Sequence, residues 1–137
     1  MVVIRVRKCG DGTAAGRLRK AEQFREAAKT IRDLADDEAD VGDAFVTLCI
    51  HAGIAASDAI CCEALGHHVQ GDDHNQALAE LSKVNPDGKE LGNDLRALLQ
   101  MKSRAEYGPV PVSAEQRKRA WRRTERLVEA ARLRHTS

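Results

Sequence analysis

At 137 residues the chain has the length of one domain with a single core. A hydrophobic fraction of 42% beside a charged fraction of 31% excludes an intrinsically disordered chain. The net charge of +1 excludes a uniformly basic or acidic molecule, yet residues 1–20 and 113–137 each carry +5 while residues 21–112 carry −9. Such segregation marks either a basic surface for an acidic partner or self-complementary packing and dimerisation.

Aromatic side chains are few: Phe24, Phe45, Tyr107 and Trp121. The core must therefore be built from Leu, Ile, Val and Ala, which favours closely packed helices and an all-α fold. Cys9, Cys49, Cys61 and Cys62 form no CxxC pair. They read as small buried hydrophobes rather than a disulfide framework or a zinc site.

Residues 1–16 predict a short strand or loose arm ending in "CGDGTAAG", and residues 17–137 the helical domain. The apolar run at the N-terminus is too short, and too interrupted by Arg5 and Arg7, for a signal peptide. A first helix is expected over 17–38, with Leu18, Ala21, Phe24, Ala28, Ile31 and Leu34 inward. The acidic run from Asp36 to Asp40 leads into a break at Gly42.

Asp43 is placed to cap a second helix running to Leu65, with Gly66 past its end. That helix is apolar nearly all round, which puts it at the centre of the domain. Its His51, Asp58 and Glu63 argue against a membrane span, so the expected location is cytoplasmic. Cys49, Ala52, Gly53, Ala56 and Ala59 form a strip that admits another backbone, within the bundle or across a dimer. Thr47, His51 and Asp58 share a different face. A buried Asp58 needs a cation, for which Arg96, Lys102 and Arg104 are the candidates; a structural polar seam that fixes register between helices is the reading the pattern favours.

The linker "HHVQGDDH" gathers His67, His68, Asp72, Asp73 and His74 without a zinc spacing, and reads as a polar loop with an Asp N-cap. A third helix follows to Val84. "NPDG" at 85–88 predicts a turn in which Gly88 supplies a positive φ. The fourth helix is expected over 89–107, with Leu91, Leu95, Leu98, Leu99 and Ala105 inward. After "GPVPV", Ser113 and Gln116 make a capping box for a last helix over 114–134. On it Arg119, Arg122, Arg123 and Arg126 form a basic stripe. That stripe fits nucleic-acid phosphates, a solvated face, or a contact with the acidic segment Asp33–Asp40. No P-loop, nucleophile elbow or HExxH motif occurs, and no cofactor or metal is implied.

The order "AFVTLCIHAGIAASDAICCEALG", "GDDHNQALAEL", "LLQMKSRAEYG" and a capped basic helix resembles a HEPN domain. This is the "higher eukaryotes and prokaryotes nucleotide-binding" family, and the likeness is greatest to bacterial members found beside a small nucleotidyltransferase. It covers residues 18–133. The resemblance implies a four- to five-helix bundle, commonly a homodimer, in a toxin–antitoxin or defence module with a nucleotidyltransferase partner and RNA or nucleotide as ligand.

Active members are metal-independent ribonucleases with an Arg, four to six residues, a His, and often a Tyr two positions later. Aligned on Tyr107, this chain has Gln100 and Ala105 where the family has Arg and His. The expectation is a binding or regulatory component rather than a ribonuclease, with a divergent ribonuclease as the alternative. Its groove would gather His51, Asp58, Lys102, Arg104, Glu106 and Tyr107. Related proteins are nucleotidylated on the tyrosine, so Tyr107 is either such a target, a phosphate contact, or a ring closing the bundle end with its hydroxyl in solvent.

Overall fold

The computed structural model describes residues 6–71 and 73–136, and they form an all-α bundle with one small two-stranded ribbon. In chain order these are β1 (Val6–Lys8), α1 (Thr13–Leu34), a 3-10 turn (Glu38–Val41), α2 (Gly42–Leu65), β2 (His67–Val69), α3 (His74–Ser82), α4 (Gly88–Leu99), the short α5 (Lys102–Glu106) and α6 (Ala114–Thr136). Residues 1–5 of the expected arm, and Asp72, lie outside the described residues.

Helix α2 occupies the centre, as its apolar circumference requires, and packs against α1, α6, α4 and α5. Val46, Cys49, Ile50, Ala52, Ala55, Ala56 and Ile60 have no exposure. The stretch Glu38–Leu65 is long and apolar enough to cross a membrane, but the 18 consecutive residues within it that meet that description, of mean hydropathy 1.7, are 72% buried in the bundle. The small-residue strip is used inside the molecule. A Cβ on Gly53 would come within 2.5 Å of Leu98 on α4 and 3.4 Å of Leu127 on α6. Glycine here allows close approach of three helices.

Several boundaries differ from the sequence expectation. Helix α1 starts at Thr13 rather than Arg17 and ends at Leu34, which is 80% exposed instead of inward. Asp43 does not cap α2; its carboxylate accepts from the backbone N–H of Val112, pinning the segment before α6 to the start of α2. Gly66 does end α2 in the left-handed region, with φ 78. The Ser113–Gln116 capping box forms reciprocally, at 3.1 Å and 2.8 Å. Asp73 caps α3 by accepting from Gln76.

In the NPDG turn the positive φ falls on Asp87, at 68, and not on Gly88. Gly88 is needed for another reason. A Cβ there would meet the carbonyl oxygens of Ser82 and Leu81 at 2.8 and 2.9 Å.

The expected fourth helix breaks in two. The Met101 N–H turns back three residues to the Leu98 carbonyl, tightening the chain, burying Met101 and redirecting α5 across α2.

The short strand expected within residues 1–16 is β1, but its partner β2 was not legible in the sequence. Val6 pairs with Val69, Arg7 with His68 and Lys8 with His67, antiparallel. Cys9 and Cys62 are joined by a disulfide, which corrects the reading of all four cysteines as unpaired. The partners are 53 residues apart in sequence and meet only because β1 folds back along β2. Cys49 and Cys61 are buried free thiols, as expected, and burial pushes each up to about 12.

Candidate functional site

A cavity of about 430 Å³ opens between α2, α4, the ribbon and the start of α3. Ser57 and Asp58 project from α2, with His51 at its mouth, and Lys102 comes from the start of α5. The ribbon and loop supply Arg7, His68 and His74, and α1 supplies Arg17. Apolar walls come from Ile54, Leu95 and Leu99. Among the described residues, Arg7, Arg17 and Lys102 stand against one lining carboxylate, Asp58, so this part of the lining favours an anion.

Asp58 is held from α1 and β2, not from α4. Arg17 donates through Nε at 3.0 Å and brings Nη2 to 2.8 Å, while His68 Nδ1 lies 3.9 Å away. Burial pushes the Asp58 carboxyl above its ordinary value, against the opposing pull of Arg17 and His68. The cations expected to pair it are engaged elsewhere. Arg96 donates to Asn93, Lys102 to Glu106, and Arg104 to the Val110 carbonyl at 3.4 Å.

Ser57 is 3% exposed, and its Oγ has no hydrogen-bond partner among the described residues. Buried hydroxyls are normally satisfied, so a bare one lining a cationic cavity points to a ligand acceptor. Sequence reasoning missed Ser57. The available signal was a hydroxyl within an otherwise apolar helix, beside Asp58. Arg17 was missed as well, because nothing in its local sequence distinguishes it from neighbouring surface arginines.

The six groove residues divide. His51, Asp58 and Lys102 line the cavity. Glu106 stands next to it, 12% exposed, bonded to Lys102 and with Oε1 3.9 Å from His51 Nε2. That Oε1 is also buried without a hydrogen-bond partner among the described residues. Phe24 packs against the His51 ring, centroid to centroid 5.4 Å. Arg104 is exposed and turned to the loop after α5. Tyr107 is 79% exposed, so its ring does not close the bundle end; Lys102 Nζ lies 5.9 Å from its centroid.

The basic stripe on α6 is largely committed. Arg123 and Arg126 both donate to Asp94 of α4, which is only 5% exposed, at 2.8 and 2.7 Å. Arg122 reaches Glu115 at 4.0 Å, and Arg119 is exposed. A separate cavity of about 570 Å³ places Arg117, Lys118 and Arg122 opposite Asp33 and Glu38, with Arg32 stacked 4.7 Å above Trp121. No orphaned polar atom among the described residues lines that cavity.

The loop "HHVQGDDH" disperses its side chains. His67 bonds Glu80 at 3.4 Å, His74 faces the cavity, and His68 sits beside the disulfide. Against known proteins, no family model matches this chain and no curated protein matches it.

Proposed function

We propose that this chain is a HEPN-like binding component that takes the phosphate end of a nucleotide or RNA in the cavity between α2, α4 and the ribbon. The observation that carries the reading is Ser57 Oγ, buried and without a hydrogen-bond partner among the described residues, in a lining that sets Arg7, Arg17 and Lys102 beside Asp58, with Glu106 bonded to Lys102 next to it. A phosphate oxygen would accept from Ser57, and Arg7, Arg17 and Lys102 would balance its charge. The regulatory role, the homodimer and the nucleotidyltransferase partner come from the resemblance of the helix order alone. They belong to the proposal as the setting in which such a component works.

Calorimetric titration with ATP tests it. Binding that weakens at least about tenfold in Ser57→Ala and in Lys102→Met supports the reading, since charge-assisted bonds are worth about 1.5–3 kcal/mol. Affinity unchanged in both variants, or no binding by the native chain, removes it.

A second reading is favoured by one feature, the His51–Glu106 pair beside Lys102. An imidazole next to a carboxylate, with a cation at hand, has the parts for proton transfer on a ribose–phosphate. As a divergent ribonuclease the chain would cleave RNA without metal, and His51→Ala and Lys102→Ala would each lose the activity, while Arg104→Ala would keep it, because Arg104 is turned to the Val110 carbonyl. Intact RNA after incubation with the native chain eliminates this reading.

A further inference from the structure

We propose that the reduced chain binds one zinc ion on Cys9, Cys62 and His68. The two sulfurs and a ring nitrogen of His68 lie within 4.8 Å of one another. Tetrahedral zinc, with Zn–S near 2.3 Å and Zn–N near 2.0 Å, sets its ligands roughly 3.5–3.8 Å apart. Side-chain rotation alone covers that difference once the two sulfurs are free to part.

The scaffold for the site lies in the backbone. Cys62 stands in the last turn of α2, and Gly66 turns the chain so that β2 runs back beside β1. The Cys9 N–H donates to the Gly66 carbonyl at 2.9 Å, directly beyond the ribbon pairs. These contacts hold Cys9 over Cys62 whether or not the sulfurs are bonded. The Cα atoms are 5.6 Å apart, a span that two thiolates sharing one ion also fit.

A disulfide has no chemical need of an imidazole beside it, but a metal does. His68 is shielded, with its side chain 16% exposed. Its Nδ1 meets the Val69 carbonyl at 3.2 Å, and a carbonyl can only accept, so with the proton on Nδ1 the ring offers the lone pair of Nε2 to a metal. Asp58 Oδ1, 3.9 Å from Nδ1, is a second outer-shell partner of the kind that orients ligating histidines. Two thiolates and one imidazole select zinc over magnesium or calcium, and three protein donors leave a fourth position for solvent.

The chemistry balances in two steps. A dithiol reductant gives two electrons and two protons to the Cys9–Cys62 bond, is itself oxidised to a disulfide, and leaves two thiols. Zinc then replaces the two thiol protons, which pass to solvent. The proposal shares His68 with the anion cavity but does not depend on that cavity binding phosphate.

The test uses the full chain, reduced with dithiothreitol, transferred to metal-free buffer without oxygen, and titrated with Co²⁺ alone and then Zn²⁺. The expected result is about one equivalent of Co²⁺ with thiolate-to-metal charge-transfer absorption, displaced by Zn²⁺ and absent from the unreduced chain. His68→Ala should weaken binding by more than about tenfold, and Cys61→Ser should leave it intact. A folded, reduced native chain that gives no charge-transfer absorption overturns the proposal, whatever the variants do. So does a signal that survives unchanged in Cys9→Ser.

Discussion

Arg17 in the second turn of α1 donates to Asp58 in the fifth turn of α2, at 3.0 Å through Nε and 2.8 Å through Nη2. The pair joins the two helices that make the most extensive contact in the bundle, at the edge of the cavity. Removing the cation leaves a shielded carboxylate with His68, 3.9 Å away, as its nearest remaining charge partner among the described residues. Arg17→Met should therefore cost about 1–3 kcal/mol in urea unfolding, below the figure for fully buried pairs because Arg17 is part-exposed. Arg17→Met combined with Asp58→Asn should recover part of that loss.

Asp94 offers a separate test, because it decides how much of the α6 stripe is available to nucleic acid. It is nearly buried and accepts from two arginines that remain part-exposed. Asp94→Ala should destabilise by about 2 kcal/mol. It should also release Arg123 and Arg126, so that nonspecific DNA binding at low salt rises and its salt dependence steepens. A native chain that already binds DNA as steeply as Asp94→Ala would mean that the stripe is not held in reserve by Asp94.

The turn before α4 separates two effects of neighbouring residues. At Gly88 a Cβ meets backbone oxygens that cannot move aside, so Gly88→Ala should lower stability by about 2 kcal/mol. At Asp87 the left-handed φ of 68 already carries strain, so Asp87→Gly should be neutral to within about 1 kcal/mol. Thermal melts of both variants, with the order reversed, would contradict the close-approach role given to Gly88.

Much of the bundle was legible because its signals are local. The apolar circumference of α2 marks it as central, Gly66 marks its end, and Ser113 with Gln116 marks the start of α6. The short strand expected within residues 1–16 is β1, but β2 and the disulfide were not legible, since a three-residue strand carries no periodicity and Cys9 meets Cys62 only through the fold. His51 and Asp58 share a face by their spacing, Lys102 was a candidate cation for that face, and all three line one cavity. Tyr107 and Arg104 fall outside that group, because on α5 and just after it Arg104 turns to the Val110 carbonyl and Tyr107 stands 79% exposed, while Lys102 at the start of α5 reaches the cavity.

Acid should probe the polar knot at the foot of α3. Glu80 is buried there, bonded to Lys83 at 3.1 Å and to His67 at 3.4 Å. Burial pushes its carboxyl up, but the bonds from Lys83 and His67 outweigh it and hold the group below its ordinary value. A lowered folded value means that Glu80 contributes stability above the ordinary glutamate range and loses it as pH falls through the folded value. Melting temperatures followed from about pH 7 to about pH 3 should fall more steeply for the native chain than for Glu80→Gln. Parallel curves would show that Glu80 adds nothing.

The most direct test of a phosphate-binding cavity is the map of backbone amide shifts in the uniformly ¹⁵N-labelled chain during titration with ATP. The expected result is a set of saturable shifts confined to the neighbourhoods of Arg7 and Arg17 and to residues 51–58, 68–74 and 95–102, which together carry Arg7, Arg17, His51, Ser57, Asp58, His68, His74 and Lys102. Shifts centred on Arg119 and Arg122 of α6, or none at millimolar nucleotide, would contradict it.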